Sequence, residues 1–217
     1  GFPMITKAIT HFPSVSADKQ AQGTRAAFSY LSSIGLTSVF DPGGVGIKQE
    51  SYTRLGELAE SEGISVRIFH TLNANVPATP EAADALVERI QTTLPFQGNE
   101  MFDLLSMGEI YYGPFHWDGV IDPATPTPED IEQGRKILTA AAANAWPTQT
   151  HAMQPETMDI LLDVMTEINT EYPLRQLRWS VTHADNVGIS QIERARHLGM
   201  NLQMRSISVL GNRGPLF

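Results

Sequence analysis

The chain has 217 residues, of which 41% are hydrophobic and 18% are charged, so it can bury the core of one sizeable domain and is not a disordered chain. Its formal net charge of −9 argues against nucleic acid and anionic membrane surfaces as partners, and it has no apolar run of about 18 residues that would span a membrane. The absence of cysteine excludes disulfides, thiolate zinc sites and a cysteine nucleophile, and fits either a reducing or an oxidising compartment.

Helical and strand-like segments alternate along most of the chain. Helices are predicted where apolar residues recur at helical spacing, and several of them end at a glycine or begin at a Thr-Pro pair. Strands are predicted where short apolar runs lie between these helices. In chain order the predictions are helix 18–34, strand 36–40, helix 50–62, strand 64–69, helix 80–93, strand 104–110, helix 128–144, strand 147–151, helix 155–170, strand 178–183, helix 189–198 and strand 201–205.

This alternation predicts βα units and a parallel sheet, and hence an α/β fold. Two architectures accept six such units. One is an open doubly wound sheet, and the other is part of a (β/α)8 barrel, which typically needs about 250 residues. In both, functional side chains gather at the carboxyl ends of the strands, so the strand ends are where candidate site residues are sought.

Two histidines end successive predicted strands, and a carboxylate lies near the end of the strand before them. They are His151, His183 and Glu109. Neighbouring parallel strands are about 4.8 Å apart, so two imidazoles at their ends can reach one ion at about 2.0–2.1 Å each. A lone strand-end histidine is more often a hydrogen-bonded structural residue, whereas the matched pair leaves two interpretations open: a metal site formed by these three residues and a structural role.

Other polar residues lie where a substrate would be bound. His70 ends the second predicted strand and is a candidate substrate contact, with a structural role as the alternative. The polar loop after the third strand, with His116, Trp117 and Asp118, is the candidate pocket wall. Its composition also predicts that the side chain of His116 is exposed to solvent.

A glycine-rich turn follows the first predicted strand. Asp41 is expected to cap it, and Gly43–Gly46 is similar to a phosphate-binding loop. That segment lacks the third glycine of the dinucleotide fingerprint, and Lys48 is misplaced for a Walker loop. The sequence also contains no G-x-S-x-G nucleophile elbow and no H-E-x-x-H pair.

Four phrases in the right order resemble the amidohydrolase superfamily, in its family 3 branch. Ile34–Gly44 resembles the family's second-strand phrase, and Trp146–Ala152 resembles the fifth-strand phrase that ends in His-Ala. Arg178–Asp185 resembles the sixth-strand phrase, and Leu198–Met204 resembles the seventh. The resemblance covers about residues 20–206 and implies a (β/α)8 barrel.

The resemblance also implies an activity. Members of this family hydrolyse C–N bonds other than peptide bonds in small-molecule substrates, with one or two divalent ions, usually zinc, activating a water molecule. His151 and His183 fall on the family's fifth- and sixth-strand metal ligands. Glu109 falls near the fourth-strand position, where a carboxylated lysine often bridges two ions.

Two departures from the family pattern predict an incomplete domain. The His-x-His pair of the first strand is absent from this sequence, and the chain ends before the eighth strand, whose Asp is the expected catalytic residue. The start of the chain carries neither a signal peptide nor an initiator Met. We therefore interpret residues 1–217 as one partial barrel domain that lacks the first and eighth strands and comes from a longer parent chain.

Such a fragment is expected to be inactive alone. Its two open sheet edges would pair with the remainder of the parent chain or with a second copy, giving a homo-oligomer. Two other functions stay open: a non-catalytic binding module derived from a barrel, and an open α/β domain that binds a phosphorylated small molecule at the glycine-rich turn.

Overall fold

The computed structural model describes residues 15–44, 47, 49–74, 78–116, 118 and 122–204. Strands and helices alternate throughout this part of the chain. The elements are α1 (Ala17–Ser33), β1 (Ser38–Asp41), α2 (Gln49–Glu62), β2 (Arg67–Leu72), α3 (Pro80–Thr92), β3 (Phe102–Met107), α4 (Gly113–His116), α5 (Pro128–Ala143), β4 (Gln149–Ala152), α6 (Pro155–Asn169), a 3-10 turn (Leu174–Gln176), β5 (Ser180–His183), α7 (Ile189–Leu198) and β6 (Asn201–Met204).

The strands form two parallel sheets of three, ordered β1-β2-β3 and β4-β5-β6. A parallel bridge between Met107 and Thr148 links the two sheets, and the amide of Met107 donates to the carbonyl oxygen of Pro147 at 3.0 Å. Each strand pairs with the next one along the chain, so all the carboxyl ends lie on the same side. The predicted α/β class and parallel pairing are therefore confirmed.

Local chemistry explains where the helices begin. Thr127 and Asp130 form a capping box at the start of α5, in which the Thr127 hydroxyl accepts from the Asp130 amide at 3.2 Å. The Asp130 carboxylate accepts in turn from the Thr127 amide at 2.9 Å. Pro128 occupies the first turn, where its missing N–H costs nothing. The helix start predicted from this sequence is thus confirmed.

The hydrophobic core is densest around β4, β5, α5 and α6. Trp146 and Trp179 are fully buried before β4 and β5, and their indole N–H groups donate to the carbonyl oxygens of Ile90 and Trp146 at 3.1 and 2.9 Å. The first part of the molecule is packed less tightly, because α1 has no buried side chain and Phe40 of β1 is exposed. The strands that carry His151 and His183, β4 and β5, therefore lie in the most tightly packed part of the described structure.

The structure corrects two predictions, the end of the third strand and the exposure of His116, and it confirms a third, the cap at Asp41. The third strand ends at Met107, earlier than predicted, so Glu109 lies just beyond it. The loop after it contains the short helix α4, in which His116 is only 2% exposed, so the predicted solvent exposure of His116 is wrong. The neighbouring ring of Phe115 is also buried and packs in the hydrophobic core, which places α4 against the core. Asp41 accepts the Gly43 amide at 3.0 Å, which confirms its capping role.

Among the described residues, no helix combines the length and apolar character needed to cross a membrane.

Candidate metal centre

β4 and β5 bring the two strand-end histidines together. His151 pairs with Thr182 in the register of these strands, and His183 is one position further along. A fully extended strand would turn consecutive side chains to opposite faces. At His183 the backbone leaves the strand conformation, with a φ of 78°, and the imidazole lies 4.6 Å from that of His151 between ring centroids. Such a backbone costs on the order of 1–3 kcal/mol and is typical of functional sites.

Gly108 controls the position of Glu109. Its φ of 142° is accessible to glycine alone, and a Cβ atom there would overlap the carbonyl oxygen of Gln149. The carbonyl oxygen of Gly108 accepts from the Thr71 hydroxyl at 2.9 Å, and that of Glu109 accepts from the His151 amide at 3.0 Å. The backbone that carries the carboxylate is therefore fixed between β2 and β4.

Glu109, His151 and His183 meet at one point. Oε2 of Glu109 is 3.0 Å from Nε2 of His183 and 3.4 Å from Nδ1 of His151. One ligand atom from each residue lies within 4.8 Å of the other two. Ligands at about 2.0–2.1 Å in a tetrahedral zinc site are separated by about 3.4 Å, so the two Glu109 contacts are close to that spacing and the donor set suits a divalent metal.

The electrostatics of the cluster also fit a cation. Burial alone would raise the pKa of Glu109, but the contacts with His151 and His183 outweigh it and lower the pKa to about 2. Burial alone would lower the pKa of His151, whereas its contacts with Asp118 and Glu109 raise it to about 9. In the absence of metal, the ionised carboxylate is thus paired with a protonated imidazole.

Asp118 contacts the opposite side of the His151 ring. Its side chain is 0% exposed, and Oδ1 lies 2.8 Å from Nε2 of His151. The ring N–H is poorly aligned with this oxygen, so the contact is an ion pair and not an ideal hydrogen bond. Oδ2 accepts from the amides of Met153 and Gln154 at 2.6 and 3.0 Å. Burial opposes ionisation, but the His151 contact and the two amides lower the pKa of Asp118.

His70 lies away from the cluster, within β2. Its ring stacks on that of Tyr52 at 4.3 Å and contacts that of Phe102 at 4.9 Å, and Nδ1 donates to the carbonyl oxygen of Thr71 at 3.2 Å. Burial is the main cause of its lowered pKa. The structure gives it a packed, neutral environment, and its assignment as a substrate contact stays a prediction.

His116 is buried next to His151, with 6.4 Å between the centroids of the two rings. Its Nδ1 donates to the carbonyl oxygen of His151 at 3.0 Å, and burial lowers its pKa to about 3, so the ring is neutral. Trp117 lies outside the described residues. The substrate-binding assignments of His116, Trp117 and Asp118 stay predictions. The contact between Asp118 and His151 was not predicted, because no local pattern relates a loop residue to a strand end so far along the chain.

The fold and the cluster define an α/β protein with a candidate divalent-metal centre at the carboxyl ends of parallel strands. A model of the amidohydrolase family matches residues 1–214. The chain therefore belongs to the amidohydrolase family, as its sequence phrases predicted.

Two solved structures are similar in fold. Both are described as uncharacterized metal-dependent hydrolases. The one from Pyrococcus horikoshii has a TM-score of 0.59 and 18% identity, covering 90% of this chain and 38% of that one. The one from Pyrococcus furiosus has a TM-score of 0.61 and 16% identity, covering 94% of this chain and 42% of that one. The chain thus spans about two fifths of the length of these proteins. A search of curated proteins found no match.

Proposed function

We propose that this chain is the central part of a metal-dependent hydrolase barrel that cleaves C–N bonds other than peptide bonds. The observation that carries the proposal is the meeting of His151, His183 and Glu109, whose ligand atoms lie within 4.8 Å of one another. Family membership supports the same reading. Zinc is the expected ion, because two imidazoles and one carboxylate are ligands that zinc accepts.

Each residue has a separate task in this proposal. Glu109 supplies the negative charge, and its low pKa keeps that charge at neutral pH. His151 and His183 supply neutral nitrogen donors from two adjacent strands, after His151 has lost its extra proton. A divalent ion held by Glu109, His151 and His183 would supply Lewis acidity, which activates a water molecule for attack on a carbonyl or ring carbon.

We propose further that the chain forms six strands of an eight-stranded barrel. Consecutive parallel pairing and the similar fold of two larger hydrolases support this arrangement. The sequence has no His-x-His pair, and the family's last-strand Asp has no counterpart among these strands. In this proposal the remainder of the parent protein supplies those groups, and the isolated chain binds metal weakly and does not turn over substrate.

The second candidate function is a non-catalytic binding module. The missing His-x-His pair favours it, since a site that lacks two of the family's metal ligands could hold an ion without turning over substrate. The two candidates differ in the activity of the full-length protein and not in metal content.

The test uses the full-length protein and its His151→Ala variant. Metal content is measured by mass spectrometry, and hydrolysis is measured on simple amides, cyclic amides and ureas. His197→Ala is the control, because His197 is exposed on α7 and is not one of the three clustered residues. We expect stoichiometric metal and hydrolysis in wild type and control, and loss of both in His151→Ala. Activity that survives in His151→Ala contradicts the proposed hydrolase, and metal without activity in wild type favours the binding module.

A further inference from the structure

Asp118 is a buried carboxylate that the proposed chemistry does not use as a ligand. We propose that Asp118 is a positioning residue: it holds His151 with its proton on Nε2, so that Nδ1 is the atom presented to the metal. The inference rests on the proposed metal site and adds to it the residue that orients the ring of His151.

The anchoring of Asp118 makes it suited to this role. Oδ2 accepts from the amides of Met153 and Gln154, the two residues that follow β4 directly. These bonds fix the carboxylate to the strand that carries His151 itself. Oδ1 remains available to His151 and lies 2.8 Å from its Nε2, in a side chain with 0% exposure. A carboxylate held in this way keeps a constant position relative to the imidazole.

The two ring nitrogens of His151 have different surroundings. Nδ1 faces the Glu109 carboxylate at 3.4 Å, and Nε2 faces Asp118. A metal ligand needs a free lone pair, so when Nδ1 binds metal the single proton of the neutral ring must be on Nε2. That N–H then needs an acceptor, because a buried donor left without one is destabilising. Among the described residues, the Oδ1 atom of Asp118 lies within reach of that N–H, at 2.8 Å from Nε2.

A carboxylate in this position also strengthens the ligand. Partners on the second nitrogen of a metal-binding histidine fix its tautomer and ring orientation and raise the basicity of the ligand nitrogen. Removing them typically weakens metal binding about 10- to 100-fold. The competing explanation is that Asp118 only ties the segment after α4 to the start of α6, in which case its loss would lower stability but leave the metal ligand unchanged.

The wild-type protein gives the first test, with no substitution at Asp118. The full-length protein is labelled with 15N-histidine and loaded with 113Cd, and the His151 resonances are assigned by their loss in His151→Gln. We expect a one-bond 113Cd–15N coupling at Nδ1 and a proton on Nε2. Coupling at Nε2 overturns the inference while leaving the metal site intact. Absence of any cadmium coupling to His151 overturns the proposed metal site itself, and the inference with it.

The second test compares Asp118→Asn with Asp103→Asn. Both changes remove one charge from a carboxylate that accepts a backbone amide, but Asp103 bonds the Gly98 amide at the other end of β3. In Asp118→Asn the new NH2 group replaces one acceptor, so either Nε2–H or the two amides lose their partner. We expect cadmium and zinc affinity to fall about 10- to 100-fold in Asp118→Asn and to stay unchanged in Asp103→Asn. If Asp118→Asn lowers only the melting temperature, with unchanged affinity and Nδ1 coupling, the role is structural and the inference fails. If this variant does not fold, the wild-type coupling decides.

Discussion

Replacing Gly108 by alanine should damage both the stability of the molecule and its metal site. The added Cβ would overlap the Gln149 carbonyl oxygen and lie 2.7 Å from the Gln149 Cβ atom. Forcing an L-residue to a φ of 142° costs about 1–3 kcal/mol, and relieving the overlap by moving the backbone costs about 1–3 kcal/mol more. We therefore expect Gly108→Ala to lower the free energy of unfolding by about 2–6 kcal/mol.

Gly35→Ala is the matched control for this change. Gly35 also has a positive φ, of 87°, but a Cβ there would meet no atom within 4 Å. Only the backbone term applies, so its cost should be about 1–2 kcal/mol. Urea denaturation followed by circular dichroism gives both free energies, and competition with a coloured chelator gives the zinc affinity of each variant.

The difference between the two variants isolates the overlap with Gln149. We expect Gly108→Ala alone to weaken zinc binding, because the backbone that must move is the one that carries Glu109. If Gly108→Ala is no less stable than Gly35→Ala and binds zinc as wild type does, then the close contact with Gln149 does not control the position of Glu109, and our account of the site is wrong.

Three further predictions concern the same region and its core. Because the pKa of His151 is raised from 6.5 to about 9 in the folded state, its ion pairs stabilise the metal-free protein fully below pH 6.5. That contribution, on the order of 2 kcal/mol, should be lost as the pH rises through about 9. Urea denaturation of wild type and His151→Gln from pH 6 to 10 measures it. Unfolding free energies that change with pH in the same way in both proteins would contradict it. Zinc must displace the extra proton of His151 at pH 7, so calorimetry in two buffers of different ionisation enthalpy should show about one proton released, and heats that do not depend on the buffer would refute this. Leu161→Ala, in the buried face of α6, should cost about 2–5 kcal/mol, while Ile189→Ala at an exposed position should change the unfolding free energy by less than about 0.5 kcal/mol.

The proximity of the three candidate metal ligands could be predicted because their positions follow from a general property of parallel sheets. His151 and His183 end strands that the sequence pattern marks clearly, and parallel pairing brings such ends together. Glu109 was found although the strand before it ends earlier than predicted, at Met107. The error in the strand boundary did not matter, because the segment continues alongside β4.

What could not be predicted depends on contacts between distant residues. Asp118 and His116 lie in a segment whose polar and Pro-rich sequence is typical of an exposed loop. Both are buried, because this segment folds under the end of β4 and each residue bonds to a group of that strand or directly after it. The positive φ of His183 also could not be predicted, since no local sequence pattern indicates a positive φ at a non-glycine residue.

The packing of the molecule is uneven, and it differs between the strands that carry the candidate metal ligands and helix α1. α1 buries none of its 17 residues, whereas Trp179, Val181 and Leu161 around β5 and α6 are shielded almost completely from water. Amide protons of α1 should therefore exchange with deuterium through local opening, long before those of β4 and β5. Local opening of α1 should thus leave the distance between the imidazoles of His151 and His183 unchanged. The affinity for a metal ion and the stability of α1 can therefore vary independently.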